Sequence, residues 1–162
     1  MRYLPGIDLA VEHYRLSSII ERLQTGYIGY DKDGMEIQMN DLRICKVIEA
    51  IIVGIPLPCA FIDTMSEDYS WEAITGHTVF HALNRFCVKQ DLILSDLGIK
   101  TDLNGMTFND LPDNLRNEFL NYTWQLGVIE DKTHSFQPKD DKKKNAFLLK
   151  EDIYSLIKEF NG

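Results

Sequence analysis

The chain predicts an α+β domain, a small mixed sheet flanked by helices. Three observations carry this. Helical periodicity over Asp41 to Val53 lies between Asn40, a capping residue, and Gly54. Two short extended pieces, Cys59 to Thr64 and Trp71 to Thr75, follow one another before the next helical stretch. The full order is helix, short strands, helix, strand, strand, helix, helix, strand, helix, which is that of a mixed α+β domain.

Each element has a local reason. Ser17 is a plausible cap for a first helix with Ile19, Ile20 and Leu23, ending near Gly26. Tyr27 to Gln38 reads as two short extended pieces around an Asp33-Gly34 turn. In the second helix, Leu42, Cys45, Ile48 and Ile52 form an apolar stripe and Arg43, Lys46 and Glu49 a polar one. Pro56 and Pro58 prevent its continuation past Gly54. After the two strands and the polar turn Ser66 to Ser70, Gly76 opens a helix to Gln90, with Val79, Phe80, Leu83, Phe86 and Cys87 inward. Asn104-Gly105 is a turn, and Thr107-Phe108 a short extended piece. Pro112 starts a helix carrying Leu115 and Phe119, and Tyr122 to Glu130 alternates as a strand. Residues 131–146 are expected to be a polar mobile segment, and 147–160 an amphipathic helix with Leu149, Ile153, Leu156, Ile157 and Phe160 on one side.

The length of 162 residues predicts one domain spanning 1–162, large enough for a core without disulfides or metal. Apolar residues at 44% and charged residues at 26% are ordinary for a globular protein. No apolar run is longer than that of Ala50 to Val53, which is far too short to cross a membrane, and the N-terminus lacks a signal-peptide pattern. A cytoplasmic location is therefore expected. Cys45, Cys59 and Cys87 lie apart among apolar residues, which predicts reduced thiols rather than metal ligands. The net charge of −8 disfavours direct nucleic-acid binding, and the basic stretch Lys139 to Lys150 contains Asp140 and Asp141.

Several clusters admit a functional and a plain reading. His77 and His81 are four apart on a helix, a spacing that can bind zinc, but no third ligand lies between them. Solvent-facing or hydrogen-bonded histidines are expected instead, and no metal site is assigned. Tyr27, Tyr30, Trp71 and Trp124 offer a base-stacking surface or ordinary core packing, with packing favoured. Asp63, Glu67, Asp68 and Glu72 surround a turn, where a solvated loop is favoured over a cation site. Thr75 is expected to cap the helix that follows.

The run Ile48 to Pro58, ending Gly-Ile-Pro-Leu-Pro, resembles the helix and proline-bounded turn of the GmrSD-type restriction family, in the ParB-like nuclease and NTPase superfamily. Trp71 to Phe80, Leu103 to Pro112 and Phe119 to Tyr122 are similar in order and spacing to later family segments, and Gln24-Thr25-Gly26-Tyr27 to an upstream one. The resemblance spans about residues 14–130. It implies a ParB-like sheet and a nucleotide site at an Asp-Gly-Gln-Gln-Arg junction, used to control cleavage of modified phage DNA. Here Thr75, Gly76, His77, Thr78 and Val79 stand in that motif, and Thr25 stands where the upstream arginine belongs. Only Gly76 and Gln24 match.

A triphosphate needs positive charge or a row of N–H donors, and an aspartate can hold its metal ion. The resemblance therefore implies a vestigial nucleotide or anion site at Gln24, Thr25, Thr75, Gly76, His77 and Thr78, retaining at most a helix start. The expected function is binding, with another protein as partner, no cofactor and no chemistry at the junction. The alternative is a divergent nucleotide-dependent nuclease or NTPase subunit, using a nucleoside triphosphate with magnesium and drawing on Gln24, His77, Thr78 and His81.

Overall fold

The chain's computed structural model describes residues 7–31, 39–131 and 151–160. Strand β1 (Ile7–Arg15) runs directly into helix α1 (Leu16–Gln24). Then come β2 (Ile28–Gly29), α2 (Asp41–Val53), β3 (Ala60–Asp63) and β4 (Trp71–Ala73). Helix α3 (His77–Leu83) continues as a π-helical turn, Asn84–Val88. Two 3-10 turns lead to α4 (Asp113–Asn121) and β5 (Thr123–Asp131), and the final described helix, α5, covers 151–160.

The five strands form one mixed sheet in the order β1-β5-β3-β4-β2. β1 is antiparallel to β5, β5 parallel to β3, β3 antiparallel to β4, and β4 parallel to β2. This is the α+β architecture that the order of segments predicts. One face of the sheet, with Trp124, Leu126, Val128, Ala60, Ile62 and Trp71, packs against Leu16, Ile19, Ile48, Phe80 and Phe119 of helices α1 to α4. On the other face Ile7, Ile74 and Ile129 meet Ile153 and Ile157 of α5. Among the described residues no helix is long and apolar enough to cross a membrane.

Helix α2 has the predicted bounds because its ends are set by local chemistry. The Asn40 side chain accepts from the Arg43 N–H at 2.8 Å, and Gly54 closes the helix at φ +90°. Its buried face keeps Cys45 and Ile48 of the predicted stripe but turns away from Leu42. Leu42 is 50% exposed, whereas Ile44, Ile51 and the supposedly polar Glu49 are buried. The Glu49 carboxylate accepts N–H bonds from Gly98, Ile99 and Lys100 at 3.2, 3.0 and 3.0 Å. It thus satisfies a loop backbone that no periodicity in α2 reveals. Those bonds, Ile99 and Lys100 first, hold its pKa below the ordinary glutamate value.

Other expectations are corrected. Residues 7–15, which carry no sequence assignment, form the longest edge strand. Arg15, not Ser17, precedes the first helical residue, and it makes no side-chain cap. Thr107 and Asp110 form a capping box on a 3-10 turn rather than an extended piece. In α5 Ile153 and Ile157 are buried, but Leu156 and Phe160 face outward. Leu149, most of the 131–146 segment and the Asp33-Gly34 turn lie outside the described residues.

Candidate functional site

β2 and β4 are parallel neighbours, with Ile28 beside Trp71 and Gly29 beside Glu72. Beyond their C-terminal ends the chain passes through Ile74, Thr75 and Gly76 into α3. The Ile74 and Thr75 N–H groups both donate to the Phe61 carbonyl, at 2.8 and 3.3 Å. The Thr75 hydroxyl accepts the Phe61 N–H at 3.0 Å, and the residue is 7% exposed. Thr75 therefore does not cap α3; its oxygen completes the edge of β3. The cap position is Gly76, in the left-handed region at φ +80° and with no side-chain bond. A Cβ there would sit 2.5 Å from Ala60 Cβ and 3.3 Å from the Trp124 ring. Glycine is thus required by both backbone and space. Val79 is buried, and Phe80 packs against Trp124 with ring centroids 4.9 Å apart.

His81 is 1% exposed. Its Nδ1 lies 3.1 Å from the Tyr30 hydroxyl, which also accepts from Asn84 Nδ2 at 2.9 Å. Tyr30 follows β2, so this trio ties the end of an edge strand to α3 and the first residue of the π-helical turn. Sequence reasoning saw Tyr30 only as a base-stacking or, preferably, a core-packing aromatic. The trio spans residues 51 and 54 apart, a pairing beyond local pattern. His77 is half-buried, and Thr78 likewise. Among the described residues no three His, Cys, Asp or Glu side chains are grouped to hold a metal ion.

Gln24 and Thr25 are exposed at the C-terminal end of α1, where the Thr25 hydroxyl donates to the Arg22 carbonyl. The Tyr27 carbonyl accepts the Trp71 N–H at 3.0 Å, which marks the start of both β2 and β4. Gln24 and Thr25 precede that start, whereas residues 74–78 follow the far ends of the strands. The fold thus brings Thr75, Gly76, His77, Thr78 and His81 together and leaves Gln24 and Thr25 at the opposite end. The two-part site of the sequence reading is not assembled.

The aromatic candidates are also accounted for. The Arg22 guanidinium carbon lies 4.6 Å from the Trp71 ring centroid, 5.4 Å from Tyr14 and 5.7 Å from Tyr27. These rings hold the chain's own cation. Trp124 is buried, and its indole N–H donates to the Pro58 carbonyl at 2.9 Å. In the acidic group, Glu67 and Asp68 are exposed as expected of a loop, but Asp63 is fully buried. One Asp63 oxygen accepts the Met65 N–H and the other the Tyr154 hydroxyl of α5. Burial, then Asp63, pushes the Tyr154 phenol far above the ordinary tyrosine range. The three cysteines are free thiols; Cys45 and Cys87 are buried and Cys59 is half-buried.

Set beside known proteins, this chain matches no protein-family model, no curated protein and no solved structure, so its chemistry is read from its own geometry.

Proposed function

We propose that this chain acts by binding another protein, as a GmrSD-type, ParB-like domain whose nucleotide junction carries no nucleotide chemistry. In that role it modulates a restriction or phage-defence system in the cytoplasm. The observation that carries the reading is Thr75. It stands at the motif aspartate, and its only side-chain oxygen is buried against the Phe61 N–H. Val79, at the motif arginine, is a buried aliphatic. Neither position offers a metal ligand or a phosphate partner. The net charge of −8 sets the chain against direct contact with a phosphate backbone.

The competing reading, a divergent nucleotide-dependent nuclease or NTPase, draws on the hydrogen-bonded Tyr30–His81–Asn84 trio beside the junction. Thermal unfolding with magnesium and ATP or GTP separates the two. A nucleotide at a hundred times its Kd stabilises by ~2.7 kcal/mol, which raises Tm by roughly 5–10 °C for a chain of this size. No shift is expected. A rise of that size with either nucleotide, or release of phosphate, overturns the binding reading.

A further inference from the structure

Helix α5 leaves two large apolar side chains in solvent. Leu156 is 57% and Phe160 80% exposed, while Ile153 and Ile157 of the same helix are buried against Ile7, Ile74 and Ile129. The four residues fall at i, i+3, i+4 and i+7, so a single stripe carries them all. Docked by hydrophobicity alone, α5 would turn the middle of that stripe to the sheet. A polar contact sets a different roll. Tyr154 follows Ile153, about 100° round the helix on the side away from Leu156. Its hydroxyl donates to the Asp63 carboxylate, which is fully buried in β3. This draws the buried face of α5 toward Tyr154, roughly 60° from the centre of the stripe. Rolling Leu156 and Phe160 inward would take Tyr154 off Asp63, whose burial makes that loss costly. The apolar pair is therefore held outward.

The edge of this pair is acidic. Asp152 lies four residues before Leu156 and Glu159 three after it, so both flank it on the helix surface. Both are exposed, and among the described residues neither carboxylate has an ion-pair partner. Lys158, the one cation in 151–160, is two residues from Leu156 and so points round the far side.

Resting on the binding reading above, we infer that the Leu156–Phe160 face of α5 docks an amphipathic helix of another protein, one whose apolar stripe is edged by lysine or arginine. Charge selects this occupant. Antiparallel packing of α5 on α5 of a second copy sets the acidic edges against one another, with Lys158 turned away, and each chain carries a net charge of −8. An anionic lipid surface is repelled by the same two carboxylates. A basic-edged helix instead covers Leu156 and Phe160 with its apolar residues and brings cations beside Asp152 and Glu159. Ile153, Ile157 and the Tyr154 bond already fix α5, so docking on it orders little further chain.

The test is fluorescence anisotropy of two labelled synthetic helical peptides titrated with the full chain. One carries leucines along one face and lysines along both edges of that face; the other has glutamates in place of the lysines. The lysine peptide should bind with a Kd below about 100 µM at low salt and weaken as salt rises, and the glutamate peptide should bind at least about tenfold more weakly. Phe160→Ala should weaken the lysine peptide at least about tenfold, with an unchanged circular dichroism spectrum. Asp152→Asn combined with Glu159→Gln should weaken it about threefold. If Phe160→Ala loses the native spectrum, Leu156→Ala decides on the same criterion. No binding of the lysine peptide, equal binding of the two peptides, or binding that survives Phe160→Ala overturns the inference. So does a wild-type mass of two chains by light scattering that Phe160→Ala returns to one, which assigns the face to a second copy. Binding to phosphatidylcholine vesicles that Phe160→Ala abolishes assigns it to a membrane and overturns it equally. Peptide failure without a nucleotide shift in thermal unfolding strikes only the α5 face; a nucleotide shift strikes the binding reading itself.

Discussion

Glu49 offers the sharpest test of how the fold is held, because one carboxylate serves three backbone donors fifty residues away in sequence. Glu49→Ala leaves the Gly98, Ile99 and Lys100 N–H groups without that acceptor. A buried donor left unsatisfied costs ~1–3 kcal/mol. Gly98 and Ile99 are exposed, so water recovers part of this. The net loss should be about 3 kcal/mol, well above the ~1 kcal/mol of a typical substitution. Glu49→Gln keeps one acceptor oxygen and should lose about half as much. Urea unfolding at neutral pH measures both. The pH dependence has a definite sign. Because the folded pKa is depressed, the unfolded carboxyl binds its proton more readily. The contribution is complete above the unfolded value near 4.5 and is lost as pH falls below it, toward the folded value. Glu49→Gln should therefore show a shallower acid-side decline than wild type. A loss under about 1 kcal/mol for Glu49→Ala, or parallel acid-side curves, would refute the assignment.

Three further outcomes are expected. Gly76→Ala should cost about 3 kcal/mol, from left-handed strain plus the contact with Ala60, while Gly105→Ala, at φ +88° with open space, should cost about 1 kcal/mol; urea midpoints compare them. Tyr30→Phe should destabilise by about 2 kcal/mol by removing the acceptor of Asn84 and the hydrogen-bond partner of His81, with faster amide exchange in α3 as its local readout. Tyr154→Phe should cost about 1–2 kcal/mol, with exchange rising first in α5 because its hold on the sheet rests on Ile153, Ile157 and the bond to Asp63.

Legibility followed the range of the interaction that fixes each element. Helix α2 was readable end to end, because Asn40 and Gly54 act within a turn of themselves. The strands around Ala60 and Trp71 were readable but one or two residues long at their ends, since pairing, not composition, stops them. β1 carries the period-two signal of Ile7, Leu9 and Val11 against Asp8 and Glu12. No glycine or proline separates it from α1, so nothing punctuates the change of period. Glu49, Asp63 and His81 looked like surface or site residues because their partners lie far along the chain, in 98–100, Tyr154 and Tyr30. Gln24 and Thr25 were grouped with Thr75 by motif order alone. The parallel pairing of β2 with β4 then sets them at opposite strand ends.

The junction separates architecture from chemistry at the level of single atoms. Gly76 must stay glycine, because its left-handed turn lets α3 leave the sheet against Ala60 and Trp124. That constraint is independent of any ligand, so the glycine by itself does not argue for a ligand site. Thr75 carries the opposite lesson. An aspartate there would keep an acceptor for the Phe61 N–H, but would bring a charge into a position 7% exposed, where desolvation opposes ionisation unless a cation sits beside it. The aliphatic Val79 supplies no such cation, and the guanidinium of Arg22 is enclosed by Tyr14, Tyr27 and Trp71 near the start of β4. Charge at position 75 and charge at position 79 therefore belong together physically. With neutral groups at both positions the junction is held by the Thr75–Phe61 hydrogen bond and by packing, with no buried charge left to compensate.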